Sequence, residues 1–385
     1  MDKKSLQFIL TIIAILASTV ALFLYAKGYS FDRQKGSLGK TGMIMIKSQP
    51  DGAKIYLDEK FVEVSNANLT NLKGGLYNIR LEKEGYGSFQ KDLPVKEEFA
   101  TFLDAVLIPL NPELKPLTPS GVKDPTLTES RDKILFLTKD RDRPGIWSLN
   151  LTGNIFSLIK GALEVVAKDN DKASYSLAEN LYLAPNDEEV LVKMNKKGYY
   201  LLALTQGEPT PQATTSAQSV FTGWQKIDSQ KKLTLSQKYK VPKNLFKTAT
   251  ESASLWSPDE RRFIYALSQG KILEYHVYST TDPLGVGEKE DANVINLEKT
   301  QKTKVSWFSD SKHLLITTCE QETKDEICLS GKVQMVRIDG TNLTQVYSGA
   351  LSSINVFPTP DGTKIIIQTS FNQNTQPNLY AIILR

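Results

Sequence analysis

Five times along the last two-thirds of the chain, a turn-forming cluster stands five residues ahead of a run of apolar, strand-favouring residues. Successive copies are separated by 56, 73, 51 and 51 residues. Self-similarity at such a period indicates a radial array of small β-sheets, the β-propeller being the compact form. The repeat therefore predicts an all-β fold that presents loops around a channel. The five apolar runs are Ile134–Phe136, Val190–Val192, Phe263–Tyr265, Leu314–Ile316 and Ile365–Ile367.

Each run is followed by a second strand, a turn and an outer strand, as in Val333–Ile338, Asp339–Asn342 and Thr344–Tyr347. This order over residues 127–385 resembles TolB-like and Trp-Asp-repeat propellers, which implies five to six blades. The motif aromatics are expected to pack between blades, and the aspartates to accept backbone hydrogen bonds in turns. The motif residues are Trp256, Pro258, Asp259, Trp307, Asp310, Phe357, Pro360, Asp361 and Gly362.

The 73-residue interval is too long for one blade, and its excess lies at about residues 208–250. A polar, low-complexity stretch (Glu208–Ser219) precedes two segments that read as helical, Trp224–Leu235 and Pro242–Thr248. Pro242 suits the first position of a helix. The excess is interpreted either as a helical insertion that covers a channel mouth or binds a partner, or as a degenerate sixth blade.

The last strand, Leu379–Leu384, ends one residue before the end of the sequence. The last blade would then take its outer strand from the amino-terminal side of the propeller, which removes an exposed edge. Residues 116–127 are the predicted donor, just before an inner strand at Ile134.

Near the amino terminus, Leu6 to Tyr25 is a 20-residue stretch without a charged side chain. It is long enough to cross a bilayer as a helix. The stretch is too long for a signal peptide and lacks a good cleavage site, so an uncleaved anchor is favoured over a cleaved signal. The short amino tail and large carboxyl-terminal mass favour a cytoplasmic amino terminus, with the bulk of the chain extracytoplasmic. Residues 1–42 are thus predicted to form the tip, the anchor and a basic juxtamembrane segment.

Residues 43–109 combine an apolar run (Met43–Ile46), the turn Pro50-Asp51-Gly52-Ala53, an alternating strand, and the later segment Leu72–Leu81 with Gly85-Tyr86. These elements resemble the PEGA domain, an extracytoplasmic module regarded as a surface or interaction domain. The resemblance implies a small antiparallel, sandwich-like domain. Two loops depart from the family pattern, at Glu59 and at Glu63–Asn68. Residues 110–126, rich in proline, are interpreted as a spacer.

Charge limits the partners. Residues 1–42 carry a net charge of +4, residues 43–110 carry −2, and the remainder carries +2, from 33 basic and 31 acidic side chains. The chain's excess of +4 is thus matched by the segment beside the membrane, where basic residues meet anionic head groups. The folded parts are near neutral, so nucleic acid is not an expected partner.

Two cysteines, Cys319 and Cys328, lie nine residues apart around a polar stretch. Outside a reducing cytoplasm such a pair can bridge the base of a hairpin. Two free thiols are the alternative, and the spacing fits no common zinc motif.

Motifs for chemistry are absent from the sequence. The two histidines, His276 and His313, are not near a Gly-x-Ser-x-Gly nucleophile motif, which the chain lacks. No phosphate-binding loop or complete calcium loop is found, so no catalytic residue, cofactor or metal is expected. We predict a non-enzymatic, single-pass, membrane-anchored envelope protein that binds a protein or surface polymer such as polysaccharide or peptidoglycan. The combination of domains resembles membrane-anchored PEGA proteins of bacteria. The alternative is a propeller-type hydrolase acting on envelope peptide or glycan.

Overall fold

The computed structural model describes residues 3–26, 29–32, 37–119, 121–139, 142–152, 163–195, 198–204, 212–214, 216–281, 284–323, 328–370 and 376–385. The chain divides into two compact units, and each is described by itself. One comprises Met1–Leu107 with Pro283–Glu288, and the other comprises Ile108–Asp282 with Lys289–Arg385.

The first unit begins with α1 (Lys3–Ala26), whose apolar side chains from Phe8 to Tyr25 are largely exposed. Its segment Gln7–Tyr25 is long and apolar enough to cross a membrane. At 1.5 Å per residue the 24-residue helix is about 36 Å long, against about 30 Å for a hydrocarbon core. A two-stranded ribbon of β1 (Tyr29–Asp32) and β2 (Ser37–Lys40) follows.

Two small sheets form the core of this unit. Their strand orders are β6-β3-β9 and β5-β4-β7-β8. The predicted antiparallel arrangement is wrong in one place, because β3 and β9 run parallel. Apolar residues that alternate along the strands fill the space between the sheets, with Ile44, Ile55, Leu81 and Leu103 fully buried. The strands are β3 (Gly42–Gln49), β4 (Lys54–Leu57), β5 (Lys60–Val64), β6 (Ala67–Leu72), β7 (Gly75–Glu82), β8 (Phe89–Val95) and β9 (Ala100–Val106).

The turn at Pro50–Ala53 is tied to the strand end at Ser65. Gly52 has a positive φ of 74° and donates its N–H to the Ser65 carbonyl at 2.9 Å. The Ala53 N–H donates to Ser65 Oγ at 3.0 Å. Asp58 and Glu59 form the two-residue β4–β5 turn with positive φ, so Glu59 adopts the conformation for which glycine is usual.

The second unit consists of twenty strands, two α-helices and one short 3-10 helix (Tyr175–Leu177) among its described residues. After β10 (Leu114–Pro116), the first sheet contains β11 (Val122–Leu127), β12 (Lys133–Thr138), β13 (Gly145–Asn150) and β14 (Leu163–Lys168). The second contains β15 (Asn180–Leu183), β16 (Glu189–Met194), β17 (Gly198–Ala203) and β18 (Gln212–Thr214). The third contains β19 (Leu255–Trp256), β20 (Arg262–Gln269), β21 (Ile272–Ser279) and β22 (Asp291–Glu298). The fourth contains β23 (Lys302–Trp307), β24 (His313–Glu322), β25 (Cys328–Arg337) and β26 (Thr344–Leu351). The fifth contains β27 (Phe357–Pro358), β28 (Lys364–Thr369), β29 (Asn378–Ile383) and the early strand β10.

The five predicted apolar runs all form strands, but the prediction that the run at Ile134 is an inner strand is wrong. Each run belongs to the second strand of its sheet, from β12 to β28, and the innermost strand precedes the turn. Two of the inner strands, β19 and β27, are only two residues long. A two-residue strand carries no periodicity in sequence.

Neighbouring sheets are joined in succession. Trp307 is 2% exposed and donates from Nε1 to the Leu255 carbonyl of the third sheet at 2.8 Å. Thr369 of the fifth sheet donates to the Ala350 carbonyl of the fourth at 2.7 Å. Gln368 of the fifth sheet donates to the Val122 carbonyl of the first at 2.7 Å. These bonds, with the closure described next, fit a ring of sheets rather than an open stack.

The ring closes through β10, which pairs antiparallel with β29. The predicted principle is right and the predicted donor, residues 116–127, is right only at its start: Pro116 and Leu117 pair with β29, whereas residues 122–127 form the innermost strand of the first sheet. Residues 110–126 are therefore not a free spacer, since they supply β10 and most of β11. Leu117 anchors the closing segment in a core shared by the first and fifth sheets, and its N–H donates to the Leu379 carbonyl at 2.9 Å.

The excess between the second and third sheets is helical, not a sixth blade of strands. It comprises α2 (Ala217–Lys238) and α3 (Lys243–Thr250), with Pro242 at the N-cap position of α3. The helix α2 packs against the second sheet through Trp224, which contacts Ala184 and Leu191 in a shared core. The helix α3 packs against Phe263 and Tyr265 of the third sheet. The two helices thus fill the space between these sheets.

Cys319 and Cys328 form a disulfide that links β24 to β25, with Cα atoms 5.7 Å apart. Of the two arrangements left open by the sequence, the structure has the bridged one.

Candidate functional site at the channel mouth

One cavity of about 800 Å³ is bordered by the inner ends of four sheets. Its lining includes residues from β11 and the following turn, from β19, from β23 and from β27. The second sheet does not reach it; α2 occupies that side with Asp228, Lys231, Lys232 and Leu235. Such a cavity, common to the innermost strands of several sheets, is the central channel of a propeller.

The carboxylates on the channel wall are paired with lysines of α2. Lys231 Nζ lies 2.8 Å from Glu129 and 3.5 Å from Glu260, so one ammonium joins the turns of the first and third sheets. Lys232 is buried, lies 2.8 Å from Asp228, and donates to the carbonyls of Glu251 and Ser252. The helix is thereby fixed to the ring by charge as well as by packing.

Two other cations on the wall have no ion pair with the described residues, Arg131 and Lys304. Desolvation lowers the pKa of the Arg131 guanidinium, against the opposing effect of the Glu129 carboxylate. Desolvation also lowers the pKa of the Lys304 ammonium, which donates to Asn355 Oδ1 at 2.7 Å. Lys304 is exposed and Arg131 is partly buried, so both cations remain open to an anionic group that enters the channel.

The position of Arg131 is set by the neighbouring sheet. Both oxygens of the Asp187 carboxylate accept backbone N–H bonds from the first sheet's turn, at 2.7 Å from Glu129 and from Ser130. Arg131 is the next residue of this turn, which the two hydrogen bonds to Asp187 hold in place, and its φ is positive at 61°.

The motif aromatics line the channel as part of its packed wall. Trp307 and Phe357 are buried, and Trp256 is partly buried, with Nε1 donating to the Ala249 carbonyl of α3 at 3.0 Å. Pro258 and Pro360 stand at the rim, and Gly362 turns with a positive φ of 65° over the Phe308 ring. These residues form the rim and the packed wall of the channel, so the polar side chains are the remaining candidates for ligand contacts.

The motif aspartates accept hydrogen bonds within their own turns. Asp259 binds the Arg261 N–H at 3.1 Å, Asp310 the Lys312 N–H at 2.8 Å, and Asp361 the Thr363 N–H at 3.0 Å. Burial raises the pKa of Asp310, but hydrogen bonds from the His313 ring and from two backbone N–H groups outweigh it and hold that pKa below its ordinary value. The pKa of Asp361 is lowered by the same balance, with Thr359 and Thr363 as donors.

The two histidines do not line the cavity. The His313 ring is buried against Asp310, with Nδ1 at 2.6 Å from its carboxylate. The His276 ring lies on the third sheet beside Tyr265, with Nδ1 at 3.3 Å from Asp291. Within the part of the chain that the structure describes, no cluster of three or more metal-ligating side chains is found.

The sequence alone does not identify the residues that line the channel. Arg131 and Lys304 lie in unlike segments and are brought together only by ring closure. The lysines of α2 could be recognised from the local net charge, because residues 216–250 contain seven lysines and one acidic residue. The net charge of the whole propeller does not show this local positive charge, because the other residues from 111 to 385 sum to 26 basic and 30 acidic side chains.

Comparisons with known proteins identify one domain. Residues 41–111 match the PEGA domain family. No curated protein matches the chain. Solved structures that align with it include TolB from Acinetobacter baumannii, at 12% identity and a TM-score of 0.27, over 79% of this chain and 59% of that one. The RRP9 WD40 repeats align at 7% identity and 0.33, over 71% and 98%.

An oligogalacturonate lyase in complex with manganese aligns at 8% identity and a TM-score of 0.28, over 81% of this chain and 98% of the lyase. Such distant superpositions carry no argument about function, and the propeller assignment depends on the strand order and closure described above. The chain thus contains a PEGA domain at residues 41–111, followed by a propeller that resembles TolB-like and WD40 propellers in its repeat.

Proposed function

We propose that this chain is a non-enzymatic, membrane-anchored envelope protein that binds a protein partner at the mouth of its propeller channel. The carrying observation is the open channel whose wall bears Arg131 and Lys304, two cations without ion pairs among the described residues. Innermost strands have one edge without a neighbour, and their backbone groups can pair with an extended peptide.

The anchor and the envelope location are supported by separate features. The segment Gln7–Tyr25 has a suitable length and composition for a span, and it is not buried within the folded protein. A disulfide between Cys319 and Cys328 is typical of oxidising compartments. PEGA domains are extracytoplasmic modules, which agrees with a cytoplasmic amino terminus and an external bulk.

Binding is favoured over hydrolysis by the state of the channel's acidic groups. General acid or base work requires a carboxylate or histidine that can reach a substrate proton. Here Glu129, Glu260 and Asp228 are engaged by lysines, and both histidines lie away from the cavity. We therefore do not assign a catalytic role to these residues.

Fractionation of cells that express the full chain tests the location. The protein is expected to stay in the membrane pellet after alkaline carbonate extraction, and external protease is expected to digest everything beyond the anchor. Release by carbonate, or protection of the propeller in intact spheroplasts, would contradict the proposal.

Copurification from solubilised envelopes tests the binding site. A partner captured by the wild-type chain is expected to be lost with Lys304→Glu and retained with Lys271→Glu, an exposed lysine on the third sheet. Equal capture by both variants would move the binding site away from the channel.

A further inference from the structure

The helical pair is the most strongly charged part of the propeller unit. Residues 216–250 carry a net charge of +6, from seven lysines and Asp228, whereas the rest of residues 111–385 carries −4. The near neutrality of the propeller is therefore a sum of two opposite regions. A localised positive region of this kind attracts negatively charged partners and orients their approach.

Most of these lysines are available. Lys226, Lys238, Lys240 and Lys243 are exposed and form no ion pair with the described residues. Of the remainder, Lys231 and Lys232 hold α2 to the ring, and Lys247 lies 3.9 Å from Glu251. The lysines that hold α2 in place are thus different from the lysines that face solvent.

A groove of about 740 Å³ runs along α2 beside these lysines. This shallow groove is lined by Ile227, which is 41% exposed, by the buried Leu235, and by polar side chains that include Lys226 and Lys238. Lys231, Leu235 and Glu260 line both this groove and the channel cavity, so the two are continuous. The groove leads from the exposed helix into the channel that holds Arg131 and Lys304.

We propose that this groove binds an acidic, amphipathic peptide segment of a partner protein, whose apolar side chains cover Ile227 and whose carboxylates meet Lys226 and Lys238. This rests on the proposed function and names the class of partner. The segment continues toward the channel, where a carboxylate meets Arg131 or Lys304.

The apolar floor distinguishes this partner from other anionic surfaces. A purely ionic polymer would gain nothing from covering Ile227. A membrane surface requires a broad apolar face on the helix, and Ile227 is the exposed large apolar residue of α2. Lysines around a small apolar strip fit a peptide that alternates acidic and apolar residues.

Fluorescence anisotropy with the full chain in detergent tests the proposal. The probes are a labelled acidic amphipathic peptide of about sixteen residues built from Glu, Leu and Phe, and the same peptide with Leu and Phe replaced by Ser. The wild-type chain is expected to bind the amphipathic peptide more tightly than the serine peptide. Affinity should fall at least about five-fold in K226E/K238E at ~0.05 M salt, and the difference should shrink at ~0.5 M salt because charge is screened.

Two controls make the result specific. K168E/K271E makes the same change in net charge at exposed lysines on the first and third sheets, and it should bind the amphipathic peptide as the wild type does. Ile227→Ser should weaken binding of the amphipathic peptide and leave the serine peptide unchanged. Near-UV circular dichroism confirms that each variant is folded.

The opposing outcomes are distinct. Absence of peptide binding up to ~1 mM, equal losses in K226E/K238E and K168E/K271E, or binding only to vesicles containing anionic phospholipid would overturn the groove proposal. If a copurified partner is lost with Lys304→Glu but retained with K226E/K238E, the proposed function stands and this inference fails.

Discussion

Ring closure by β10 provides the sharpest test of the fold, and Leu117→Ala is the perturbation that isolates it. Leu117 is 7% exposed and packs with Val122, Phe357 and Leu379 in the core between the first and fifth sheets. Truncating a buried leucine to alanine costs about 2–5 kcal/mol. In a domain of this size each kcal/mol lowers the melting temperature by about 2–4 °C, so a cost of about 3 kcal/mol predicts a fall of about 6–12 °C.

The chain offers a matched control and a selective signal. Leu110 belongs to the same proline-rich stretch but is 67% exposed, so Leu110→Ala should change stability by less than about 0.5 kcal/mol. The four tryptophans, at positions 147, 224, 256 and 307, all lie in the propeller. Tryptophan fluorescence during heating therefore follows the propeller without the PEGA domain. Equal melting temperatures for the two variants would show that residues 110–126 are a free spacer after all.

Three further predictions use the same fluorescence signal. Replacing both Cys319 and Cys328 with serine should lower the free energy of unfolding of the propeller by roughly 2.5–3 kcal/mol, which is the loop-entropy value for a loop of about ten residues. An added reductant should have no further effect on this variant. An unchanged melting temperature would contradict a stabilising disulfide. Trp307→Phe leaves the Leu255 carbonyl without its donor and should cost about 1–3 kcal/mol, whereas Trp147→Phe, whose Nε1 bonds the Arg143 carbonyl at an exposed site, should cost less; the reverse order would argue against Trp307 as a link between sheets. The pKa of Asp310 is lowered on folding, so its stabilising contribution is present above its ordinary pKa of 3.8 and is lost as the pH falls through the lower folded value. Asp310→Asn should therefore reduce the loss of urea resistance between about pH 4 and pH 2, and an unchanged acid dependence would refute this assignment.

The parts of the fold that sequence predicted are those with a local signal. The apolar runs around Ile134, Phe263 and Ile365 are long enough to show strand character, although the sequence does not give their place within each sheet. The turn at Pro50–Ala53 was readable because proline and glycine restrict the backbone there. The helical pair was predicted from Pro242 and from the spacing of Trp224 and Leu235.

The remaining features depend on contacts between distant segments. Strands β19 and β27 exist because a neighbouring strand pairs with them, and two residues carry no pattern. The closing strand β10 is only three residues long and lies in a proline-rich stretch, so its pairing with β29 carries no local pattern either. Arg131 and Lys304 are 173 positions apart in the sequence, and only the closed ring places both on one channel wall.

Site-specific photo-crosslinking in cells tests directly whether a protein partner binds along the groove of α2. A photoreactive phenylalanine analogue at Gln230, an exposed groove residue of α2, is compared with the same analogue at Lys271 on the third sheet. We expect one discrete protein adduct from position 230, formed outside the cytoplasm, whose crosslinked peptide is rich in Asp and Glu and whose yield falls with K226E/K238E. No adduct at position 230, or the same adduct from position 271, would contradict it.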